Sequence, residues 1–156
     1  MGDQPEPPVS AAETRAIAYR YLGRREYGCR ELSQKLQRRG VDTATAQSVT
    51  ADLAAEGLVS DSRFTGVFVR SRISRLVGPL KIRAQLRQKG IDDALIEEAL
   101  AGHAGTWEES AYSWVEKRAM GNLDRKEKAR IYRSGMNRGF THEHMMRALD
   151  RYPSAS

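Results

Sequence analysis

A helix that stops at glycine recurs three times along this chain at nearly constant spacing. Leu32, Leu36, Gly40 and Val41 are spaced like Ile82, Leu86, Gly90 and Ile91. Ile131, Gly139 and Phe140 keep the same offsets, with Gly135 where the second leucine would stand. The glycines lie 50 and then 49 residues apart, a period that signals a tandem array of small helical units. After each glycine the apolar positions of a further helix also correspond: Ala46 and Val49, Ile96 and Ala99, Met145 and Ala148. Strand alternation is nearly absent.

The pattern predicts an all-α fold of three tandem three-helix repeats. The repeats are expected at residues 11–59, 60–104 and 105–152, with disordered tails at 1–10 and 153–156. In the first repeat the helices are expected over Ala11–Glu26, with Ser10 and Glu13 in capping-box spacing, then Arg30–Arg39 and Thr43–Glu56. Gly40 and Gly57 act as left-handed stops. The second repeat starts near Ser60 or Asp61 with Phe64, Val67, Phe68 and Ser71 on one face, and resumes after Gly78-Pro79. The third opens at Thr106 with Glu109 as its capping-box partner, burying Trp107, Ala111, Trp114 and Val115. Helices over Asp124–Met136 and Thr141–Tyr152 complete it.

Charge follows the repeat. Between Ser62 and Ile91 stand eight basic residues (Arg63, Arg70, Arg72, Arg75, Lys81, Arg83, Arg87 and Lys89) and no acid. The chain carries 26 bases and 20 acids, so removing this window leaves 18 against 20. Residues 15–39 and 117–138 hold eight bases and two acids each, whereas 42–61 and 92–116 hold four and seven acids with no base. Stacked repeats would align these blocks into a basic stripe and an acidic ridge, a surface suited to polyanions or to charged partners. The bland alternative is that the blocks form inter-helix ion pairs. Arg83 and Arg87, one helical turn apart, are the better ligand-facing candidates. Arg72 and Arg75 fall near the apolar stripe, where their stems can cover the core. Arg24 and Arg25 lie among Tyr19, Tyr21 and Tyr27, of which one could contact a partner.

Catalytic patterns are missing: no phosphate loop, dinucleotide fingerprint or nucleophile elbow occurs. His142 and His144 diverge on their helix and His103 lies in a loop, so no metal site or cofactor is expected. Cys29 stands alone, which excludes an internal disulfide. No long apolar run suggests a membrane span, and Met1–Val9 lacks the bases and apolar stretch of a signal peptide. A cytoplasmic protein is expected.

"GLVSDSRF" (Gly57 to Phe64), "VRSRI" (Val69 to Ile73) and "GPLKIRAQLRQKGI" (Gly78 to Ile91) resemble the central motifs of RecX regulatory proteins. "REYGCRELSQKLQRRGV" (Arg25 to Val41) is similar to their first repeat, and "MNRGFTHEHMMRAL" (Met136 to Leu149) to their third. The resemblance covers about residues 12–152 and departs at Cys29, where a serine cap is common, and at Gly135, where an apolar residue is. It implies an elongated, curved array of the three-helix repeats and a non-enzymatic modulator that binds the RecA recombinase filament in its groove or at its end; a monomer is expected. There it would block filament extension, ATP turnover, strand exchange and repressor co-cleavage. Arg24, Arg25, Arg63, Arg70, Arg72, Arg75, Lys81, Arg83, Arg87 and Lys89 are the candidate contacts to that partner, or to single- and double-stranded DNA without sequence preference. The runner-up is a helix-turn-helix transcription regulator over residues 30–59, in which Val59 would lead into a β-wing. A structural adaptor without nucleic-acid contacts is the third option.

Overall fold

The computed structural model describes residue 2 and residues 7–153, and every described element is helical. The helices are α1 (Ala11–Leu22), α2 (Cys29–Arg38), α3 (Thr43–Ala55), α4 (Asp61–Ser74), α5 (Pro79–Gln88), α6 (Asp93–Ala101), α7 (Thr106–Arg118), α8 (Arg125–Asn137) and α9 (His142–Arg151). Contacts divide the chain into Met1–Phe64 and Thr65–Ser156, the division falling inside α4. The expected tails at 1–10 and 153–156 lie mostly outside the described residues; Ser10, which is described, caps α1.

Each repeat turns from its second to its third helix in one way. Gly40, Gly90 and Gly139 have φ of 92°, 78° and 100°, a left-handed conformation that costs glycine least. The next residue then donates its N–H to the carbonyl five residues back: Val41 to Leu36, Ile91 to Leu86, Phe140 to Gly135. This Schellman arrangement satisfies carbonyls that a helix end would orphan, and it swings Val41, Ile91 and Phe140 into the core. The third helix starts at a side-chain cap in two repeats. Asp42 accepts from the Thr45 N–H at 2.8 Å, and Thr141 accepts from the His144 N–H at 3.1 Å.

Several boundaries differ from expectation. Helix α1 ends at Leu22, not Glu26, because Gly23 is a poor helix former and Tyr27 must fold back into the core, where it is 3% exposed. Val67 is 44% exposed; α4 instead buries Phe64, Thr65, Phe68 and Val69, a stripe rotated away from it. Thr106 and Glu109 form no capping box, since Gly105 occupies the cap position and Thr106 is already helical. The reciprocal box forms at α8, between Asp124 and Glu127.

Gly135 has a compensation. It is buried, and a Cβ there would overlap Met145. The corresponding pairs are Leu36 with Ala46 and Leu86 with Ile96, so where the third repeat loses a leucine on one helix it places a methionine on the next. Interior volume is kept, as close packing requires.

Within Thr65–Ser156 the second and third repeats are clasped. Gly78 donates its N–H to the Arg138 carbonyl at 2.9 Å, and Leu80 donates to the Gly139 carbonyl at 3.0 Å. These are N–H groups of the first turn of α5, separated by Pro79, which has none to satisfy. The C-terminal carbonyls of α8 therefore cap α5 head to tail. The Arg138 guanidinium closes the joint, donating from Nε to the Leu76 carbonyl at 3.0 Å and from Nη2 to the Arg75 carbonyl, while lying 5.0 Å from the Trp114 ring centre. Leu76 is left-handed (φ 59°) without being glycine, a strained state held by that arginine and by burial against the third-repeat core.

Candidate partner-binding surface

The sequence-predicted cations divide into paired, stacked and exposed groups. Arg24 and Arg25 lie in the α1–α2 loop rather than on a helix. Arg24 is exposed; Arg25 pairs with Glu31 at 3.0 Å and covers the Tyr27 ring at 3.7 Å. Arg63 pairs with Glu26 at 3.0 Å. Asp61, next to it, accepts the Cys29 N–H at 2.7 Å and so serves as the cap that Cys29 itself does not supply to α2. Burial first, and then the Asp61 charge, push the Cys29 thiol up to about 11, so it is protonated and unreactive at neutral pH.

Arg83 and Arg87 are less available than their spacing suggests. Arg83 meets Glu97 through two bonds of 2.6 and 3.2 Å, and Arg87 meets Asp93 at 2.9 Å. The hydrogen bond holds the Arg83 guanidinium above its ordinary pKa and the Glu97 carboxyl below its own, which fixes both in the charged form. Periodicity places a residue on a face without saying which helix that face meets. Here the basic face of α5 meets the acidic start of α6. The same holds elsewhere: Arg15 pairs with Glu56, Arg147 with Glu108, and Arg151 with Glu109. Alternating charge blocks therefore do part of their work inside each repeat.

Arg70, Arg75 and Lys81 remain exposed and make no ion pair among the described residues. They flank the α4–α5 turn at Val77-Gly78. Arg72 is half-buried, its guanidinium 4.2 Å from the Phe68 ring centre and its Nε donating to Gln85 at 3.1 Å. Lys89 lies 6.0 Å from the same ring, and Arg72, Gln85, Gln88 and Lys89 rim a recess over Phe68. The structure thus brings Arg72 and Lys89 together, and it sets Arg83 and Arg87 apart from them in ion pairs. Arg138 was not legible as a key residue from its own segment, because its partners lie more than sixty residues upstream.

No group of three or more His, Cys, Asp or Glu able to hold a metal occurs among the described residues. His144 accepts the Thr141 N–H at 3.2 Å, and the His142 ring nitrogen Nδ1 lies 2.7 Å from the Tyr132 hydroxyl. No helix among the described residues is long and apolar enough to cross a membrane. After Val59, Ser60 caps α4 through the Arg63 N–H at 3.1 Å, so a helix stands where a winged-helix regulator would place its β-wing.

These features define an all-helical protein built of tandem three-helix domains with a cation-rich central segment. The family model "RecX, first three-helix domain" matches residues 15–53, and "RecX, second three-helix domain" matches residues 60–100. The chain belongs to the RecX family of regulatory proteins. It is 41% identical to regulatory protein RecX of Halorhodospira halophila over 135 residues, covering 85% of this chain and 84% of that one. To the protein of the same name from Chromohalobacter salexigens it is 40% identical over 139 residues, 88% and 91% of the two chains. Its fold is similar to the crystal structure of RecX from Lactobacillus salivarius, with TM-score 0.79, 22% identity and coverage of 90% and 94%. A second crystal structure of a regulatory protein RecX gives TM-score 0.77 at 24% identity, covering 90% of this chain and 74% of that one.

Proposed function

We propose that this chain binds RecA recombinase filaments and restrains them, slowing ATP hydrolysis, strand exchange and co-protease cleavage without catalysing a reaction itself. It touches single- and double-stranded DNA weakly and without sequence preference, acts as a monomer in the cytoplasm, and uses its repeats at 11–59, 60–104 and 105–152 as successive docking modules. The observation that carries this reading is membership of the RecX family. Arg70, Arg75 and Lys81, exposed and without an ion pair among the described residues, support a polyanionic or acidic target, with Arg72 and Lys89 beside them at the Phe68 recess. Arg24 and Arg25 in the first repeat and Arg63 at the start of α4 are further candidate contacts, and Arg83 and Arg87 contribute after yielding Glu97 and Asp93.

Cosedimentation with preformed RecA filaments, compared with naked DNA at the same salt, tests the proposal together with RecA ATPase assays. Substoichiometric protein is expected to sediment with filaments and to slow ATP turnover. Unaltered turnover at saturating protein would sink the assignment.

A further inference from the structure

The repeats bridge their second and third helices with different chemistry. In the second repeat charged pairs span the groove, Arg83 to Glu97 and Arg87 to Asp93. In the third, the Tyr132 hydroxyl reaches His142. In the first, the 50-residue offset puts Ser33 where Arg83 stands, Gln37 for Arg87, Thr43 for Asp93, Gln47 for Glu97 and Thr50 for Leu100. All four charges are exchanged for neutral hydrogen-bonding groups, and a buried leucine for a hydroxyl. The result is an open groove of about 460 Å³ between α2 and α3, lined by Ser33, Gln34, Gln37, Gln47 and Thr50, with Arg30 as its one charged residue.

From this comparison we infer that the groove docks an uncharged, hydrogen-bonding segment of a partner protein, engaging its main-chain amides. The partner is the filament proposed above, and the inference rests on that reading. Three observations carry it. Thr50 is 5% exposed, lines the groove, and its hydroxyl has no hydrogen-bond partner among the described residues, a state that is costly unless a ligand completes it. Ser33 accepts from the Gln37 amide at 3.3 Å, which leaves its own proton to donate, and Gln37 in turn accepts from Thr43 at 3.1 Å. Donors and acceptors are therefore both on offer, as a peptide chain with one of each per residue requires. Finally, a phosphate backbone is a poor occupant. Its affinity comes from several cations, whereas this lining has one, and the α3 wall runs through a segment, 42–61, with four acids and no base.

The test installs the second repeat's own pair in the first, Ser33→Arg with Gln47→Glu, which closes the groove with chemistry this chain already folds around. Affinity for RecA filaments preformed on single-stranded DNA is measured by cosedimentation at low and high salt. The double variant is expected to bind about tenfold more weakly, the loss of one to two hydrogen bonds with their buried partners stranded. The loss persists at high salt, because neutral contacts are unscreened, and the unfolding temperature is unchanged. Should the double variant unfold earlier, Thr50→Val, isosteric and lacking only the hydroxyl, decides: several-fold weaker binding sustains the inference and unchanged binding overturns it. A wild-type protein that fails to sediment with filaments overturns the functional reading and this partner together. Wild-type binding matched by the double variant overturns the groove alone. An equal loss on naked DNA makes the groove a base-reading site and overturns the choice of a protein segment.

Discussion

Replacing Gly78 by alanine probes the joint between the second and third repeats. Its φ of −80° and ψ of 164° are open to any residue, so the backbone itself does not object. A glycine-to-alanine change at such a site should stabilise by about 0.4–1 kcal/mol through the unfolded chain. The added methyl, however, would overlap the Gly139 carbonyl and the Phe140 nitrogen, which are backbone atoms and cannot rotate aside. Relieving that overlap separates α5 from α8 and breaks the bonds from Gly78 to Arg138 and from Leu80 to Gly139. Each net hydrogen bond contributes about 1 kcal/mol, and stranding a buried donor costs about 1–3 kcal/mol. Two broken bonds with partial rehydration come to roughly 3–4 kcal/mol, or about 3 kcal/mol after the unfolded-state gain. For a chain of this size that lowers the melting temperature by about 6–12 °C. Gly66→Ala is the control. There an added methyl meets only the mobile end of Arg70, at 3.2 Å, and alanine favours the helix by about 1 kcal/mol, so the same substitution should stabilise. Thermal melts followed by circular dichroism compare the two. A Gly78→Ala protein as stable as wild type would refute the clasp.

Three further outcomes are expected. Gly135→Leu and Met145→Ala should each destabilise, the second by about 2–5 kcal/mol as a buried truncation, while the double variant recreates the Leu36–Ala46 arrangement and recovers much of the loss in urea unfolding; strictly additive losses would refute volume exchange. His144 has its pKa lowered first by burial, so the unfolded state takes up its proton before the folded one and stability falls as pH drops from the ordinary value of 6.5 to the lower folded one. His144→Gln keeps a capping-box acceptor and should flatten that slope, whereas an unchanged pH profile would assign it to other groups. Reversing Arg70, Arg75 and Lys81 to Glu should weaken DNA retention at low salt more than reversing Arg83 and Arg87, whose charges are already balanced by Glu97 and Asp93; the opposite order would mean the ion pairs open on binding.

Much of the helical architecture was legible because its signals are local. A Schellman turn needs a residue with positive φ, and Gly40, Gly90 and Gly139 announce it within a few residues of the helix they end. The clasp could not be read that way. Gly78 looks like an ordinary helix start beside proline, and only the fold brings the Arg138 carbonyl to it from sixty residues downstream. The end of α1 was missed for a related reason: the helical stripe continues past Gly23, but the burial of Tyr27 requires the chain to turn first.

Charge blocks were legible as composition, but the helix that each charged face meets was not. Arg83 and Arg87 share a face, and that face meets α6, so their charge is partly consumed inside the repeat. The repeats themselves supply the better guide. At equivalent positions the same scaffold carries an ion pair, a tyrosine–histidine contact or an open groove lined by uncharged side chains and Arg30, and the packing beneath is held by exchanges such as Gly135 with Met145. Positions that vary while the glycine turn and buried volume stay fixed do not set the fold. In a regulator built from repeats, those are the positions free to distinguish one contact on the target from the next.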